Sequence, residues 1–141
     1  MIKYSGYGGA VEMLTMKESG PVTDEQNILD LDATALAKMI ANKEITSYKV
    51  TEVYINHIKK ENPAMNFLVE DRFQAALKEA SEADQRLKEN KEKGKLFGVP
   101  ISMKESFHVE GMRTTGGLLN RKESIQDADA EVVRKLKDEG A

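Results

Sequence analysis

One apolar segment limits what this chain can fold into more than any other feature. Residues 96–103 (LFGVPISM) are nearly all apolar, with β-branched side chains at Val99 and Ile101. This unbroken pattern predicts a strand that is buried on both faces of a sheet. Pro100 cannot donate a ladder hydrogen bond and therefore indicates an edge or a bulge. Because such a strand needs helices over both faces, we expect an α/β fold.

Most of the remaining sequence predicts helices. Apolar residues recur at helical spacing in four segments, which span about residues 30–44, 46–63, 71–93 and 127–139. Ser47 is the expected N-cap of the second helix, and the Asn62-Pro63 pair should end it. Asp127 or Asp129 should cap the fourth helix, which Gly140 follows. In the third, Ala76, Ala80, Ala83 and Leu87 form a small-residue face that should pack closely against a neighbour.

These elements do not supply the sheet that the apolar strand requires. Residues 66–69 (NFLV) are the one other candidate strand, and two strands cannot form a sheet covered on both faces. We therefore expect the chain to be part of a larger α/β domain whose other strands lie beyond Ala141 or in another polypeptide. Residues 1–30 are interpreted as a loose extension, and residues 31–141 as the amino-terminal part of that domain.

The composition argues against several classes of protein. The net charge is −3, with basic and acidic residues interspersed, so a general nucleic-acid-binding role is not expected. Cysteine is absent, which removes disulfides, thiolate metal sites and cysteine nucleophiles. His57 and His108 have no second ligand at metal-binding spacing. Without an apolar run of about 18 residues or a signal-like start, we expect a cytoplasmic protein that does not contact membranes.

Lys104 is the residue that most needs an explanation, because it ends an otherwise apolar strand. Catalytic groups in α/β folds gather at the carboxyl ends of strands. In a dry setting the neutral amine is favoured, and a neutral lysine can act as a base. Alternatively, Lys104 simply reaches water or pairs with Glu105 or Glu110. Spacing alone leaves both interpretations open.

Other candidate residues are weaker. Ser102 and Ser106 lie two positions either side of Lys104 and would share its face of a strand, so a local Ser-Lys pair is conceivable. A hydroxyl that bonds nearby backbone is the simpler interpretation. His57 lies on the apolar stripe of its helix and is expected to be partly buried. The Gly116-Gly117 pair predicts a turn, or a place where backbone approaches a ligand.

Residues 96–117 (LFGVPISMKESFHVEGMRTTGG) resemble the region around the catalytic lysine of the amidase signature family. There, a Gly-Val-Pro…Lys run is followed by a Gly-Met/Leu-x-Thr-Thr turn. The likeness continues upstream through residues 44–84 and downstream through residues 127–141. It implies an α/β fold in which this chain supplies the amino-terminal helices and the first core strands of a mixed sheet, incomplete within these residues.

The resemblance also implies a function. Family members hydrolyse non-peptide C–N amide bonds of small molecules without a metal or an organic cofactor, using a nucleophilic serine, a bridging serine and a lysine. Lys104 stands at the position of that lysine and would be the unprotonated base. Both serines belong to a segment of the Gly-Gly-Ser-Ser-Gly-Gly type that these residues do not contain. The chain alone is therefore expected to be inactive and to need the carboxyl-terminal part of the same enzyme.

Two alternatives remain open at this point. Within the family, the chain could instead derive from the amidase-type subunit of a glutamine-dependent aminoacyl-tRNA amidotransferase. As a protein without enzymatic activity, the chain could be a non-catalytic remnant or a helical module that binds a partner. The resemblance is also imperfect beside the lysine, since Glu105 and Ser106 stand where Asp and Asn are common in the family.

Overall fold

The computed structural model describes residues 25–91 and 94–141. Within these ranges it contains five α-helices and one short 3₁₀ turn: α1 (Glu25–Leu29), α2 (Ala33–Ala41), α3 (Ser47–Met65), α4 (Phe73–Lys88), the 3₁₀ turn (Leu119–Arg121) and α5 (Glu131–Asp138). The described part contains no sheet, and its only β pairings are isolated bridges between Glu110 and Gln126 and between Arg113 and Ile125. None of its helices is both long and apolar enough to span a lipid bilayer.

The long helices α3 and α4 pack against each other, and α1 also packs on α3. Ala80 and Leu87 of α4 are buried and Ala83 is half-buried against the core, which confirms the small-residue face predicted for this helix. Burying each larger apolar side chain stabilises the fold by about 1.5–3 kcal/mol. The core cluster is formed by Ile28, Leu36, Ile40, Ile45, Val50, Val53, Leu87, Phe97 and Val99.

The first turn of α3 joins three distant parts of the chain. The Asp84 carboxylate, on α4, accepts hydrogen bonds from the backbone N–H of Ser47 (2.7 Å) and of Tyr48 (3.0 Å). The buried Ser47 hydroxyl donates to the carbonyl of Gly98 at 2.6 Å. The helix start is therefore fixed to α4 and to the segment that leads towards Lys104.

Two details predicted for α3 are wrong. Thr46, not Ser47, is the N-cap, because Thr46 has the extended backbone and its hydroxyl accepts from the N–H of Lys49. The helix also continues through Pro63 to Met65 and ends at Asn66, which adopts the left-handed conformation. Proline removes a single helical hydrogen bond, and so close to the end of a helix this loss does not stop it.

The predicted cap of the closing helix is also wrong. Ala130 is the N-cap of α5 and makes no side-chain capping bond. The Asp129 carboxylate instead accepts from the N–H of Glu110 at 2.9 Å and from the Lys137 ammonium at 2.6 Å. The Gly140 prediction is confirmed, since this residue follows the helix with a φ of +88°.

The strand predicted at residues 96–103 is absent from the described structure. Residues 95–98 form a turn, and residues 99–104 are irregular. Phe97 and Val99 are buried in the core, whereas Ile101 is exposed. The second predicted strand, residues 66–69, is irregular too, with Phe67 and Val69 exposed. A strand is defined by hydrogen bonds to its neighbours, and no neighbouring strand lies within the described ranges.

The amino-terminal extension assigned to residues 1–30 falls largely outside the described residues. Its last part is helical, since residues 25–29 form α1 and Ile28 is fully buried in the core. The sequence pattern places the start of the domain at Leu31. The packed part of the chain therefore begins a few residues earlier than the pattern indicates.

Replacing Gly98 by alanine should destabilise the fold more than the same change at Gly111. Both glycines have nearly equal positive φ angles, +76° and +77°, and this conformation costs alanine about 1–2 kcal/mol. An added Cβ at Gly98 would lie 3.1 Å from Ser47 Cβ and Oγ, whereas at Gly111 it would meet nothing within 4 Å. We expect Gly98→Ala to cost about 1 kcal/mol more, as overpacking does. Equal urea midpoints for the two variants would contradict this.

Candidate active site

Lys104 lies five residues beyond Val99, which is buried in the core. Its carbonyl accepts a hydrogen bond from the N–H of Phe107 at 2.9 Å, which closes a tight turn directly after the lysine. The side chain is exposed, so the described residues do not provide the dry setting expected from the sequence. Within the described ranges its ammonium has neither a hydrogen bond nor an ion pair. The predicted alternative of a salt bridge to Glu105 or Glu110 is therefore not formed.

The side chain of Glu105, by contrast, is tightly bound. Its carboxylate accepts hydrogen bonds from the backbone N–H of Thr115 and from that of Gly116, the latter at 3.0 Å. The Thr115 hydroxyl in turn accepts from the N–H of Gly117 at 3.1 Å. Gly116 and Gly117 both have positive φ angles, which confirms the turn predicted for this pair. Glu105, the residue directly after Lys104, is thus attached to the turn of residues 114–117, here called the TTGG turn.

These hydrogen bonds favour the ionised form of Glu105. Donors that bind a carboxylate stabilise its negative charge and make protonation harder. The pKa of Glu105 is accordingly lowered from its ordinary value, first by the hydrogen bond with the Thr115 side chain, then by the backbone N–H of Thr115 and, to a smaller extent, that of Gly116. Partial desolvation acts in the opposite direction but does not reverse the shift.

A second carboxylate holds the start of the TTGG turn. Glu70, between α3 and α4, accepts from the backbone N–H of Arg113 at 3.0 Å and from its guanidinium at 3.1 Å. Thr114 is buried and donates its N–H to the carbonyl of Ser124 at 3.1 Å. The TTGG turn is therefore attached both to the helical pair and to the chain around residue 124.

The other sequence candidates are not brought together. Ser102 and Ser106 are exposed, and in the described part no hydrogen bond joins either hydroxyl to Lys104. His57 is exposed, so its predicted partial burial is wrong; the buried positions of α3 lie nearer its start. His108 is exposed as well, and its carbonyl accepts from the N–H of Ala130. Residues 25–91 and 94–141 contain no cluster of three or more His, Asp or Glu side chains suited to a metal ion.

Sequence reasoning missed the role of Glu105. The sequence pattern indicates this residue only as an ion-pair partner of Lys104 or as a departure from the family pattern. The available signal was weak: an acidic residue ten positions before a Thr-Gly turn whose backbone N–H groups need acceptors. The functions of Glu70 and Asp84 had no local signal, because their partners lie 43 and 37 residues away.

Comparison with known proteins gives consistent results. Residues 49–141 match the family model described as Amidase. Fatty-acid amide hydrolase 2-A of Danio rerio is 41% identical over 128 residues, which are 86% of this chain and 24% of that protein. A glutamyl-tRNA(Gln) amidotransferase polypeptide of Methylobacillus flagellatus is 37% identical over 106 residues, 75% of this chain and 21% of that protein. The chain thus spans about a quarter of the length of the relatives that it matches.

The structural comparison agrees. A solved structure of fatty acid amide hydrolase superposes with a TM-score of 0.80 at 32% identity, covering 84% of this chain and 21% of that one. This confirms the fold class expected from the sequence, the amino-terminal part of an amidase-signature α/β fold. The absence of a sheet from the described residues is consistent with an incomplete fold.

The hydrogen bonds between Glu105 and the TTGG turn should persist in acid to below pH 4.5. The ordinary pKa of the group is 4.5 and folding lowers it, so this stabilising contribution is complete above pH 4.5 and is lost as the pH falls through the folded-state pKa. Amide resonances of Thr115 and Gly116 should therefore titrate together, with a midpoint below 4.5.

The amide of Thr114, which binds a carbonyl, serves as an internal control and should not follow that titration. In Glu105→Gln the transition should disappear from Thr115 and Gly116. A midpoint above 4.5, or an unchanged transition in the variant, would show that Glu105 is not the acceptor.

Proposed function

The chain belongs to the amidase family, and on that premise we propose that it contributes a catalytic lysine, Lys104, to amide hydrolysis. Membership supports hydrolysis of amides at the level of the family. The observation that carries the assignment to Lys104 is its position. It ends the Gly-Val-Pro…Lys run, it is exposed, and its ammonium has no partner among the described residues. A lysine in this state is available to groups supplied from outside these residues.

In the proposed mechanism Lys104 acts as a base in its neutral form. The nucleophilic serine attacks the amide carbonyl, and its proton passes through the bridging serine to Nζ of Lys104. Backbone N–H groups hold the oxyanion, and the amine departs with a proton returned along the same path, which leaves the acyl group on the serine. Water, deprotonated along that path, then attacks the acyl-serine, releases the carboxylic acid and restores the serine hydroxyl. Both serines would come from the carboxyl-terminal part of an amidase domain, which is the partner this proposal requires. No metal ion or organic cofactor takes part.

The relatives favour a fatty-acid amide as the substrate class. Identity to Fatty-acid amide hydrolase 2-A of Danio rerio is 41% over 128 residues, against 37% over 106 residues for the amidotransferase polypeptide of Methylobacillus flagellatus. The second of these supports an alternative, in which the activity is release of ammonia from glutamine for a tRNA amidotransferase. A cytoplasmic location, expected from the sequence, is part of the proposal and stays a prediction.

A chimaera tests the proposal. In it, this chain replaces the matching 128-residue segment of Fatty-acid amide hydrolase 2-A of Danio rerio. We expect hydrolysis of a primary amide of a long-chain fatty acid, and no ammonia release from glutamine. A preference for glutamine would favour the amidotransferase alternative. A folded chimaera that hydrolyses neither amide would favour the non-catalytic remnant and contradict the proposal.

Within the active chimaera, Lys104→Met and Lys104→Arg should both lower kcat by about 10³-fold or more, because members of a catalytic triad act as a unit. Methionine cannot accept a proton, and a guanidinium stays protonated at all working pH values. Thermal unfolding should be nearly unchanged in Lys104→Met, because methionine keeps most of the apolar volume of the lysine stem.

Lys122→Met is the matched control, because Lys122 is also exposed and its ammonium has no partner within the described ranges. It should leave kcat unchanged. An active and stable Lys104→Arg variant, together with an unstable Lys104→Met variant, would instead indicate a structural salt bridge and end the case for a base.

The unsubstituted 141-residue chain should not turn over amides by itself. A lysine without the nucleophile retains only general-base effects, worth about 10²–10⁴ in rate. Turnover of an aryl amide by the purified chain, abolished by Lys104→Ala, would contradict this and would make Ser102 or Ser106 the candidate nucleophile.

A further inference from the structure

We infer that Glu105 is a positioning residue for Lys104. Its carboxylate binds the backbone of the TTGG turn and so fixes the main chain from which the lysine side chain extends. This inference rests on the proposed catalytic role of Lys104 and adds a second residue to it. Glu105 itself does not touch the reacting groups in this proposal.

The backbone of Lys104 has two points of attachment. Both lie on its carboxyl-terminal side. The carbonyl of Lys104 accepts from the N–H of Phe107 at 2.9 Å, and the carboxylate of the next residue, Glu105, accepts from the N–H groups of Thr115 and Gly116. The Lys104 side chain makes no contact of its own with a polar group in the described residues. Its location is therefore set by the backbone, and the backbone by these bonds.

The frame to which Glu105 binds is itself held in place. Glu70 binds the backbone and side chain of Arg113, and the buried Thr114 pairs with Ser124. The N–H groups of Thr115 and Gly116 then point towards the same carboxylate, with Gly116 in the left-handed region at φ +56°. Successive N–H groups in such a turn form a concavity that binds an anion. Here the anion is the carboxylate of Glu105.

Both carboxylate oxygens take part in the arrangement. Oε1 accepts from Thr115 and, at 3.2 Å, from Gly116, while Oε2 accepts from Gly116 at 3.0 Å. Glutamine has almost the same shape but a single acceptor oxygen, and its NH₂ group would face a backbone donor. Aspartate keeps both acceptors on an arm one methylene shorter. Charge and acceptor number, rather than volume, should therefore decide whether a substitution is tolerated.

Loss of this attachment should affect the chemical step more than substrate binding. A misplacement of about 1 Å in a catalytic group costs up to about 10²-fold in rate. In the chimaera we expect Glu105→Gln to lower kcat by about 10–100-fold, with KM within about twofold of the parent. Glu105→Asp should recover most of the lost kcat.

Glu110→Gln is the matched control. It is the same substitution five positions away, at an exposed carboxylate without a hydrogen bond in the described part of the chain. It should leave kcat and KM unchanged. An unchanged kcat in Glu105→Gln, a change in KM alone, or an equal loss in the Glu110 variant would each overturn the inference.

A measurement on the 141-residue chain separates failure of this inference from failure of the proposed function. Amide hydrogen exchange at Phe107, Thr115 and Gly116 should accelerate at least tenfold in Glu105→Gln and stay unchanged in Glu110→Gln. Unaltered exchange at Phe107 would mean that Glu105 does not fix the Lys104 backbone, and would overturn the inference. An inactive parent chimaera with this exchange pattern would contradict the proposed function alone.

Discussion

The hydrogen bonds at the start of α3 are the interaction on which the rest of this structure depends. The first N–H groups of a helix have no partner within it, and a carboxylate placed there also lies at the positive end of the helix dipole. Asp84 satisfies two of these groups from α4, and the buried hydroxyl of Ser47 binds the carbonyl of Gly98. A single such capping interaction is worth about 1 kcal/mol. Because Gly98 precedes the buried Val99, this contact also directs the chain towards Lys104.

Carboxylates serve a similar purpose in the irregular part of the chain. Backbone N–H groups that are not in a helix or a sheet need other acceptors. Between residues 105 and 130, where the described structure has only isolated bridges and one 3₁₀ turn, three carboxylates supply some of them. Glu70 binds Arg113, Glu105 binds Thr115 and Gly116, and Asp129 binds Glu110. Side chains thus hold the loops around the candidate site in the absence of a β-ladder.

Four of the five described α-helices could be predicted from the sequence because helical periodicity is local, whereas α1 lies in the segment interpreted as a loose extension. The same local information failed at two kinds of position. Thr46 and Ser47 are adjacent hydroxyl residues, and which of them caps α3 depends on the distant carbonyl that engages Ser47. The apolar run at residues 96–103 has the composition of a buried strand, but a strand forms only where a neighbouring strand supplies hydrogen bonds. None is present in the described residues, and Ile101 is exposed as a result.

The sequence by itself determined the family, the order of the four longer helices and the identity of Lys104 as the candidate base, because these follow from short motifs and local periods. Tertiary structure alone decided what surrounds that lysine. The Lys104 ammonium has no partner in the described residues, and the carboxylate of Glu105 is hydrogen-bonded to a turn ten residues away. Tertiary structure also attached that turn to Glu70, 43 residues earlier in the chain. Such contacts leave no local pattern, since the path of the chain in space, and not its residue spacing, sets which donor meets which acceptor.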